Sequence, residues 1–449
     1  MIKKRPHTAR EVAAFALFSM EEEGAWSDGA LHHYLDRANL SSRDRALATR
    51  MTYGVIQNRL LCDWYLRQFS KIRLAKIAPR VRICLQLGIY QLTLTSRIPP
   101  HAAVDETVAL VRAYCHANER TIGFANGILR AVAAAVQENR LPRLNCPDKE
   151  SFYSLRYSHP EWLVRLLAAQ YGLQETAAIL QANNEIAPVS VRVNRLRCDR
   201  ESVLKRLTED GLSVSPHPNA DSMLLVDNGD IAAHPLFQAG FVTIQDTASA
   251  VCVEVLDPTP NTFVLDCCAA PGGKTFYIAE RMQNRGTLFS CDIYAHKLDK
   301  IRAGTERMGL SIVQPVLQDA ALFRPEWQQK ADTVLCDVPC SGIGIIRKKP
   351  EIRYKKPDDL TKLPEIQYQI LENCSGYVRP GGTLVYSTCT ILERENQAVV
   401  RRFLQAHPEF MSVPIVHPVF GAREDGMITL LPSIHSTDGF FIAKLRRLP

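Results

Sequence analysis

From about Gly240 onward, short apolar runs alternate with helical patterns, and this repeat constrains the fold more than any other feature of the chain. The apolar runs cover residues 263–266, 287–292, 312–317, 333–337 and 383–387. Between them, residues 275–282, 297–308 and 364–378 carry the i, i+3, i+4 spacing of amphipathic helices. Strand, helix and strand repeated in this way predict a parallel α/β sheet. In such a sheet the ligand crevice lies just past the carboxyl ends of the strands. Residues at those ends are therefore the candidates for chemistry.

The first strand end leads into a turn of small residues, Cys267, Cys268, Ala269, Ala270, Pro271, Gly272 and Gly273, before Lys274 and Thr275 open a helix. Glycine lets the backbone approach a ligand, and a helix start offers unpaired N–H groups. Asp292 ends the next strand, 20 residues after Gly272. That is the place of a carboxylate that accepts from ribose hydroxyls. A phosphate-binding P-loop needs glycine where Cys268 stands, and the G-x-G-x-x-G fingerprint is absent as well. A nucleoside without phosphates fits better, and S-adenosyl-L-methionine is the obvious candidate. Asp319, after the following strand, would accept from the adenine amine; the alternative is a helix cap.

Two cysteines follow the last two strand ends, in Asp337-Val338-Pro339-Cys340 and Ser387-Thr388-Cys389. A thiolate beside a methyl donor has a clear use. Carbon 5 of a pyrimidine is a poor nucleophile, and thiolate addition at carbon 6 makes the ring enamine-like. Asp337 in the same cleft would hold the cytosine amine and ring nitrogen. Position alone leaves open which thiol attacks. Cys84, Cys115, Cys252 and Cys336 read instead as small buried hydrophobes.

The remainder of the chain has other periods. Residues 1–140 read as helical, with patterns at 12–18, 47–61, 81–94 and 102–114 and helix starts at Ser41 and Pro100. Residues 141–160 hold three prolines among polar residues and read as a linker. A small α+β segment follows, with helices at 162–182 and 201–209 and strands at 189–194 and 222–227. The division expected is 1–140, 141–237 and 238–449. Residues 1–140 hold twenty basic against twelve acidic side chains, more than the whole chain's net +7. Seven of the basic residues (Arg59, Arg67, Lys71, Arg73, Lys76, Arg80 and Arg82) face one acid, Asp63. That excess favours a polyanionic partner such as nucleic acid.

No run of 18 apolar residues appears, so no membrane association is expected. The basic start lacks an apolar signal core. Thirteen cysteines without a paired framework suit reduced thiols in a cytoplasmic protein. Cys336 with Cys340, and Cys267 with Cys268, are the nearest approach to a metal site, and neither has zinc-ligand spacing, so no metal is expected.

With these residues assembled, residues 238–449 resemble the RNA cytosine-5 methyltransferases. The resemblance rests on Gln245-Asp246-Thr247-Ala248-Ser249, on 266–275, on 337–342, on 386–389 and on Asp438-Gly439-Phe440-Phe441. Residues 1–140 resemble the NusB-type helical RNA-binding domain, through Arg43-Asp44-Arg45, Tyr53-Gly54-Val55, Gly88-Ile89-Tyr90-Gln91 and 103–108. The resemblance implies an all-α NusB-like domain, a small α+β segment and a C-terminal α/β Rossmann-like domain dependent on S-adenosyl-L-methionine. It implies a monomer that methylates a cytosine of 16S ribosomal RNA, with no action on DNA. It makes Cys389 the nucleophile and Cys340 the group that assists adduct breakdown and product release. It also assigns Cys268, Ala269, Ala270, Pro271, Gly272, Gly273, Lys274, Asp292, Asp319 and Asp337 to the cofactor. DNA cytosine methyltransferases use the cysteine of the Pro-Cys motif, which would be Cys340. Two residues depart from the pattern: Tyr354 replaces a tryptophan and Cys267 an alanine.

Overall fold

The computed structural model describes residues 4–218, 220–227 and 229–449. The first three residues of the basic start lie outside them. The chain forms two compact units: Met1–Asn184 with Lys349–Lys355, and Glu185–Lys348 with Lys356–Pro449.

The first unit is helical. Its core is built from Phe15, Phe18, Tyr34, Met51, Leu66 and Leu85, all fully buried. Helix starts follow local chemistry. The Thr8 hydroxyl accepts from Glu11 N, and the Glu11 carboxylate accepts from Thr8 N, a reciprocal cap on Ala9–Glu23. Ser41 caps Ser42–Gln57, and Pro100 opens Pro100–Tyr114. The helical pattern at 47–61 is not one helix. Asn58 leaves helical geometry at φ −119°, its Nδ2 donates back to Gly54 O at 2.9 Å, and a second helix, Arg59–Phe69, begins. Residues 141–160 are not simply a linker, because Asp148 caps a helix at Lys149–Arg156 and Ser158 and His159 are fully buried. The segment Lys349–Lys355 is anchored in this unit by Arg353. Its buried guanidinium donates to the carbonyls of Gln57, Ser158 and Asn183 and to Asn184 Oδ1. Tyr354 donates its hydroxyl to Ile56 O at 2.7 Å.

The second unit holds two larger sheets. A four-stranded antiparallel sheet, in the order β2-β3-β1-β4, consists of β1 (Val189–Val193), β2 (Val214–Pro216), β3 (Met223–Val226) and β4 (Val242–Ile244). The helix Arg200–Glu209 packs on it through Val203 and Leu207. The larger sheet has the order β10-β14-β9-β8-β5-β6-β7, with β13 on β14. Its parallel strands are β5 (Thr262–Asp266), β6 (Gly286–Asp292), β7 (Val313–Leu317), β8 (Ala331–Asp337) and β9 (Val378–Thr388). The sheet is mixed, not wholly parallel. β10 (Phe410–Ser412) pairs antiparallel with β14 (Phe440–Arg447), which pairs antiparallel with β9; β11 (Ile415–His417) and β12 (Gly421–Arg423) form a separate hairpin, and β13 (Met427–Leu430) completes the edge. The chain runs outward from β5 through β6 to β7 and resumes on the other side with β8. The order therefore reverses between β5 and β8, where α/β sheets open their ligand crevice.

The two sheets of this unit are tied by a buried ion pair. Arg192 on β1 pairs with Glu280 of the helix Gly273–Arg281, lies 4.4 Å from the Tyr277 ring centroid, and donates to Gln245 Oε1 at 2.5 Å. Burial pushes the Glu280 carboxyl up despite the guanidinium beside it, so the pair orients the elements more than it stabilises them. Removing one partner is a different matter, because it strands a buried charge. Glu280→Ala is expected to cost about 3–5 kcal/mol, read as a lower denaturant midpoint. An unchanged midpoint would show that the pair does not hold the sheets together.

Candidate active site

The β5 end supplies the first wall of the crevice. Asp266 is fully buried, and its Oδ2 accepts from the Thr275 hydroxyl at 2.7 Å. Its other oxygen, Oδ1, is buried without a partner, and burial pushes the carboxyl up to about 7. The turn that follows is closed by Ala269 N to Cys291 O (2.7 Å) and Gly272 N to Ala269 O (2.8 Å). Gly272 has φ +109°, and a Cβ there would lie 2.5 Å from the Phe276 ring. The helix Gly273–Arg281 starts without a side-chain cap, which leaves its first N–H groups to a ligand. Asp292 ends β6, where its Oδ1 accepts from Tyr294 N at 3.0 Å and lies 3.7 Å from Lys297 Nζ. Asp319 follows β7 and accepts from Ala321 N at 2.9 Å, so it caps a turn and not a helix. An unpaired buried acceptor, an open helix start and a carboxylate at the β6 end fit a nucleoside cofactor whose hydroxyls and amine need acceptors.

The ends of β8 and β9 supply the second wall. Asp337 accepts from Lys274 Nζ (2.7 Å) at one oxygen and from the Ser387 hydroxyl (2.7 Å) at the other. The Cys340 and Cys389 sulfurs are 3.2 Å apart. A polar frame holds the two loops in this register. The Ser341 hydroxyl donates to Thr390 Oγ1 at 2.8 Å, and Ser341 N donates to Glu395 Oε2 at 2.8 Å. Gln367 Nε2 reaches both Glu395 Oε2 (2.9 Å) and Pro339 O (3.0 Å). Asn396 accepts from the Thr388 hydroxyl at 2.6 Å and donates to Thr390 O at 3.0 Å. Gly344 N donates to Cys389 O at 3.0 Å, and Gly439 N donates to Gly344 O at 2.8 Å. A Cβ on Gly344 would lie 2.0 Å from Gly439 O, so no larger residue fits this strap.

The two thiols are polarised in opposite directions. The hydrogen bond from Cys340 holds Cys389 below the ordinary thiol range, with help from the Lys274 ammonium and against burial and Asp337. The same hydrogen bond, with burial and the nearby Glu395 carboxylate, pushes Cys340 well above that range. Burial acts to lower Lys274, but Asp337 outweighs it and keeps the ammonium charged. The contact between the two sulfurs therefore favours the thiolate form at Cys389 and the thiol form at Cys340.

Sequence reasoning missed Glu395, Gln367 and Asn396, which lie outside the strand-end motifs. It quoted Asp246 and Asp438 without a role. Lys348 Nζ bridges them, at 2.6 Å from Asp246 and 2.8 Å from Asp438, while Arg347 lies 3.2 Å from Asp438. The cysteines also group differently from the adjacent pairs in sequence. Cys267, Cys336 and Cys374 bring their sulfurs within 4.8 Å of one another in the core, where burial pushes the Cys336 thiol well up. The basic stretch is thinner than its composition implies. Arg59 pairs with Glu21 (2.8 Å), Arg80 with Glu22 (2.6 Å) and Arg82 with Asp63. Arg67, Lys71, Arg73 and Lys76 are exposed and take no ion pair among the described residues. No helix among those residues is long and apolar enough to cross a membrane.

Known proteins match the chain throughout. The family model described as 16S rRNA methyltransferase RsmB/F covers residues 253–446, the NusB family model covers 7–134, and a ferredoxin-like domain of RsmF/B-like methyltransferases covers 159–232. The "Probable ribosomal RNA small subunit methyltransferase B" of Bacillus subtilis (strain 168) is 35% identical over 448 residues, 98% of this chain and 99% of that protein. The ribosomal RNA small subunit methyltransferase B of Shigella boydii serotype 18 is 33% identical over the same shares. The crystal structure of PH0851 superposes with a TM-score of 0.81 at 27% identity, covering 99% of this chain and 100% of its own.

The thiol polarisation can be read directly. Alkylation of Cys389 by iodoacetamide, followed by peptide mass, should show a half-point below the ~8.5 of a free thiol. Lys274→Met removes the cation that favours the thiolate and leaves Asp337 to oppose it, so the half-point should move up. On the acid side, a half-point higher by about one pH unit slows alkylation roughly tenfold. An unmoved half-point in the variant would remove Lys274 from thiol activation.

Proposed function

Because this chain belongs to the 16S rRNA methyltransferase RsmB/F family, we infer that it transfers a methyl group from S-adenosylmethionine to carbon 5 of a cytosine in 16S ribosomal RNA, through a covalent bond from Cys389 to carbon 6 of the ring. The observation that carries this reading is the pair of sulfurs 3.2 Å apart with opposite polarisation, beside the Lys274–Asp337 ion pair. Adding a thiolate at carbon 6 turns carbon 5 into a nucleophile and divides one hard step into easier ones. Cys389 takes the attacking role because its thiolate has both a hydrogen-bond donor and a cation to favour it. After methyl transfer a base removes the carbon-5 proton and the Cys389 thiolate leaves carbon 6; Cys340, in contact with that sulfur, would assist this breakdown and product release. The bound cofactor supplies an electrophilic methyl group on a sulfonium.

Cys268, Ala269, Ala270, Pro271, Gly272, Gly273, Lys274, Asp292, Asp319 and Asp337 line the proposed donor site. Asp292 would accept from the ribose hydroxyls and Asp319 from the adenine amine. Asp337, already oriented by Lys274 and Ser387, can also take the cytosine amine. In this reading residues 1–140 form the RNA-binding module, with Arg67, Lys71, Arg73 and Lys76 as its phosphate contacts. Residues 141–237 form the small middle segment and 238–449 the catalytic domain. The protein acts as a cytoplasmic monomer on RNA and not on DNA, and its thirteen free thiols suit a reducing compartment.

The donor site is tested by Asp292→Ala. A hydrogen bond to a charged group contributes roughly 1.5–3 kcal/mol, so donor affinity by calorimetry should fall about tenfold or more. Unchanged affinity would take Asp292 out of the site.

The two thiols are separated by their variants. Cys389→Ala should form no adduct and transfer no methyl. Cys340→Ala should still attack and methylate but release product poorly, leaving a protein–RNA adduct on a denaturing gel. The opposite pattern would favour the DNA-type arrangement, and intact methylation in both variants would end the covalent reading.

A further inference from the structure

We propose that Cys340 and Cys389 also form a reversible redox pair, in which a hydroperoxide oxidises Cys389 and Cys340 closes the product as a disulfide that switches the enzyme off and shields its sulfur. The inference starts from placement. The two sulfurs are 3.2 Å apart, and a disulfide needs ~2.05 Å, so about 1 Å of further approach completes the bond. Their loops cannot drift apart easily. Ser341 is tied to Thr390, and Gly344 N holds the Cys389 carbonyl. Both cysteines remain half-buried, so a small oxidant can reach them.

The other close thiols lack this combination. Cys84 and Cys115 are 3.7 Å apart, but Cys84 is fully buried in the helical core and its thiol is held well above the ordinary range by Cys115 and by burial. Cys267, Cys336 and Cys374 are enclosed in an apolar cluster. Oxidation by peroxide starts from thiolate, and Cys389 is shifted towards it, whereas Cys84, Cys267, Cys336 and Cys374 are shifted away.

The chemistry balances with hydrogen peroxide as the named oxidant. The Cys389 thiolate attacks one peroxide oxygen, the O–O bond breaks, and Cys389 becomes a sulfenic acid while hydroxide leaves. The Cys340 thiol, losing its proton, then attacks the sulfenic sulfur. The S–O bond breaks, an S–S bond forms, and water leaves. Sulfur has given up two electrons, and the peroxide has become one water and one hydroxide, which takes a proton from solvent to give the second water. With both sulfurs in one bond, neither can add to a pyrimidine. A thiol reductant reverses the bond, whereas a sulfinic acid would be permanent to such reductants. Cys340 thus intercepts the sulfenic acid before a second oxidant arrives. The disulfide itself needs neither RNA nor the methyl donor; the loss of activity rests on the proposed role of Cys389 as the nucleophile.

The test uses the full chain, reduced and then titrated with hydrogen peroxide, quenched with N-ethylmaleimide and mapped by peptide mass. The expected first product is a Cys340–Cys389 linked peptide pair. Loss of methyl transfer should track its formation, and dithiothreitol should restore both. In Cys340→Ser no such link can form, and Cys389 should gain two oxygen atoms in a form dithiothreitol does not remove. The wild-type mapping requires no variant and decides the matter alone. A first link at Cys84–Cys115, or wild-type Cys389 gaining two oxygens as fast as in Cys340→Ser, overturns the proposal. Either result would leave methyl transfer by the reduced protein intact, and so would leave the covalent mechanism standing.

Discussion

The buried carboxylate of Glu395 is the contact on which the site depends. It is fully enclosed, and its Oε2 accepts from Ser341 N and from Gln367 Nε2. The first donor belongs to the loop after β8. The second reaches on to Pro339 O in that same loop. Glu395 itself follows β9, and its backbone carbonyl accepts from the Tyr386 hydroxyl at 2.6 Å. One residue, through its carboxyl and its backbone carbonyl, therefore fastens the loop of Cys340 to the strand that Cys389 follows. Buried polar oxygens are tolerable where N–H donors meet them, as they do at Oε2, while Oε1 has no partner. The strap from Gly439 through Gly344 to the Cys389 carbonyl fixes the remaining freedom. The thiol distance is the outcome of these ties.

The charges around the thiols oppose one another, and the balance is what gives each group its state. Lys274 loses hydration in the crevice, which disfavours its charge, and Asp337 more than compensates. The same carboxylate disfavours a thiolate at Cys389, while the ammonium favours it. Because the two charges pair, their effects on the sulfur largely cancel. The Cys340 hydrogen bond is then the leading influence, and a bond can act on one sulfur without acting alike on the other. This is how two cysteines in one cleft come to differ. Asp266, at the end of β5, has one oxygen unpaired and a carboxyl that burial pushes up to about 7.

Strand ends were legible because the side-chain period and the turn residues both mark them. Asp266, Asp292, Asp337 and Thr388 close β5, β6, β8 and β9, at or within one residue of the expected ends. The antiparallel edge was not legible. β10 to β13 have three or four residues each, too few for a period to show. β14 begins with four buried residues in a row, which alternation does not reveal. Gly344 and Glu395 were invisible for another reason. Their importance is a close approach between segments far apart in sequence, and no local pattern encodes it. Tyr354 shows the same limit. Read in sequence it belongs with the catalytic motifs, yet its hydroxyl bonds Ile56 within the helical unit.

The basic stretch shows how pairing alters a charge argument without altering the charge. Glu21, Glu22 and Asp63 take up Arg59, Arg80 and Arg82, so these cations serve the fold. Asp63 is nearly enclosed and also accepts from Gln86 at 2.8 Å, which commits Arg82 to the interior side. The net excess of the helical residues is unchanged, because the acids were already counted. What changes is where the uncompensated charge lies. Within this stretch it is left on Arg67, Lys71, Arg73 and Lys76, at one helix end and in the segment that follows. Phosphate contacts release counterions only where a cation is free to meet them. Ion pairing of Arg59, Arg80 and Arg82 therefore leaves Arg67, Lys71, Arg73 and Lys76 as the cations of this stretch best placed to meet a polyanion.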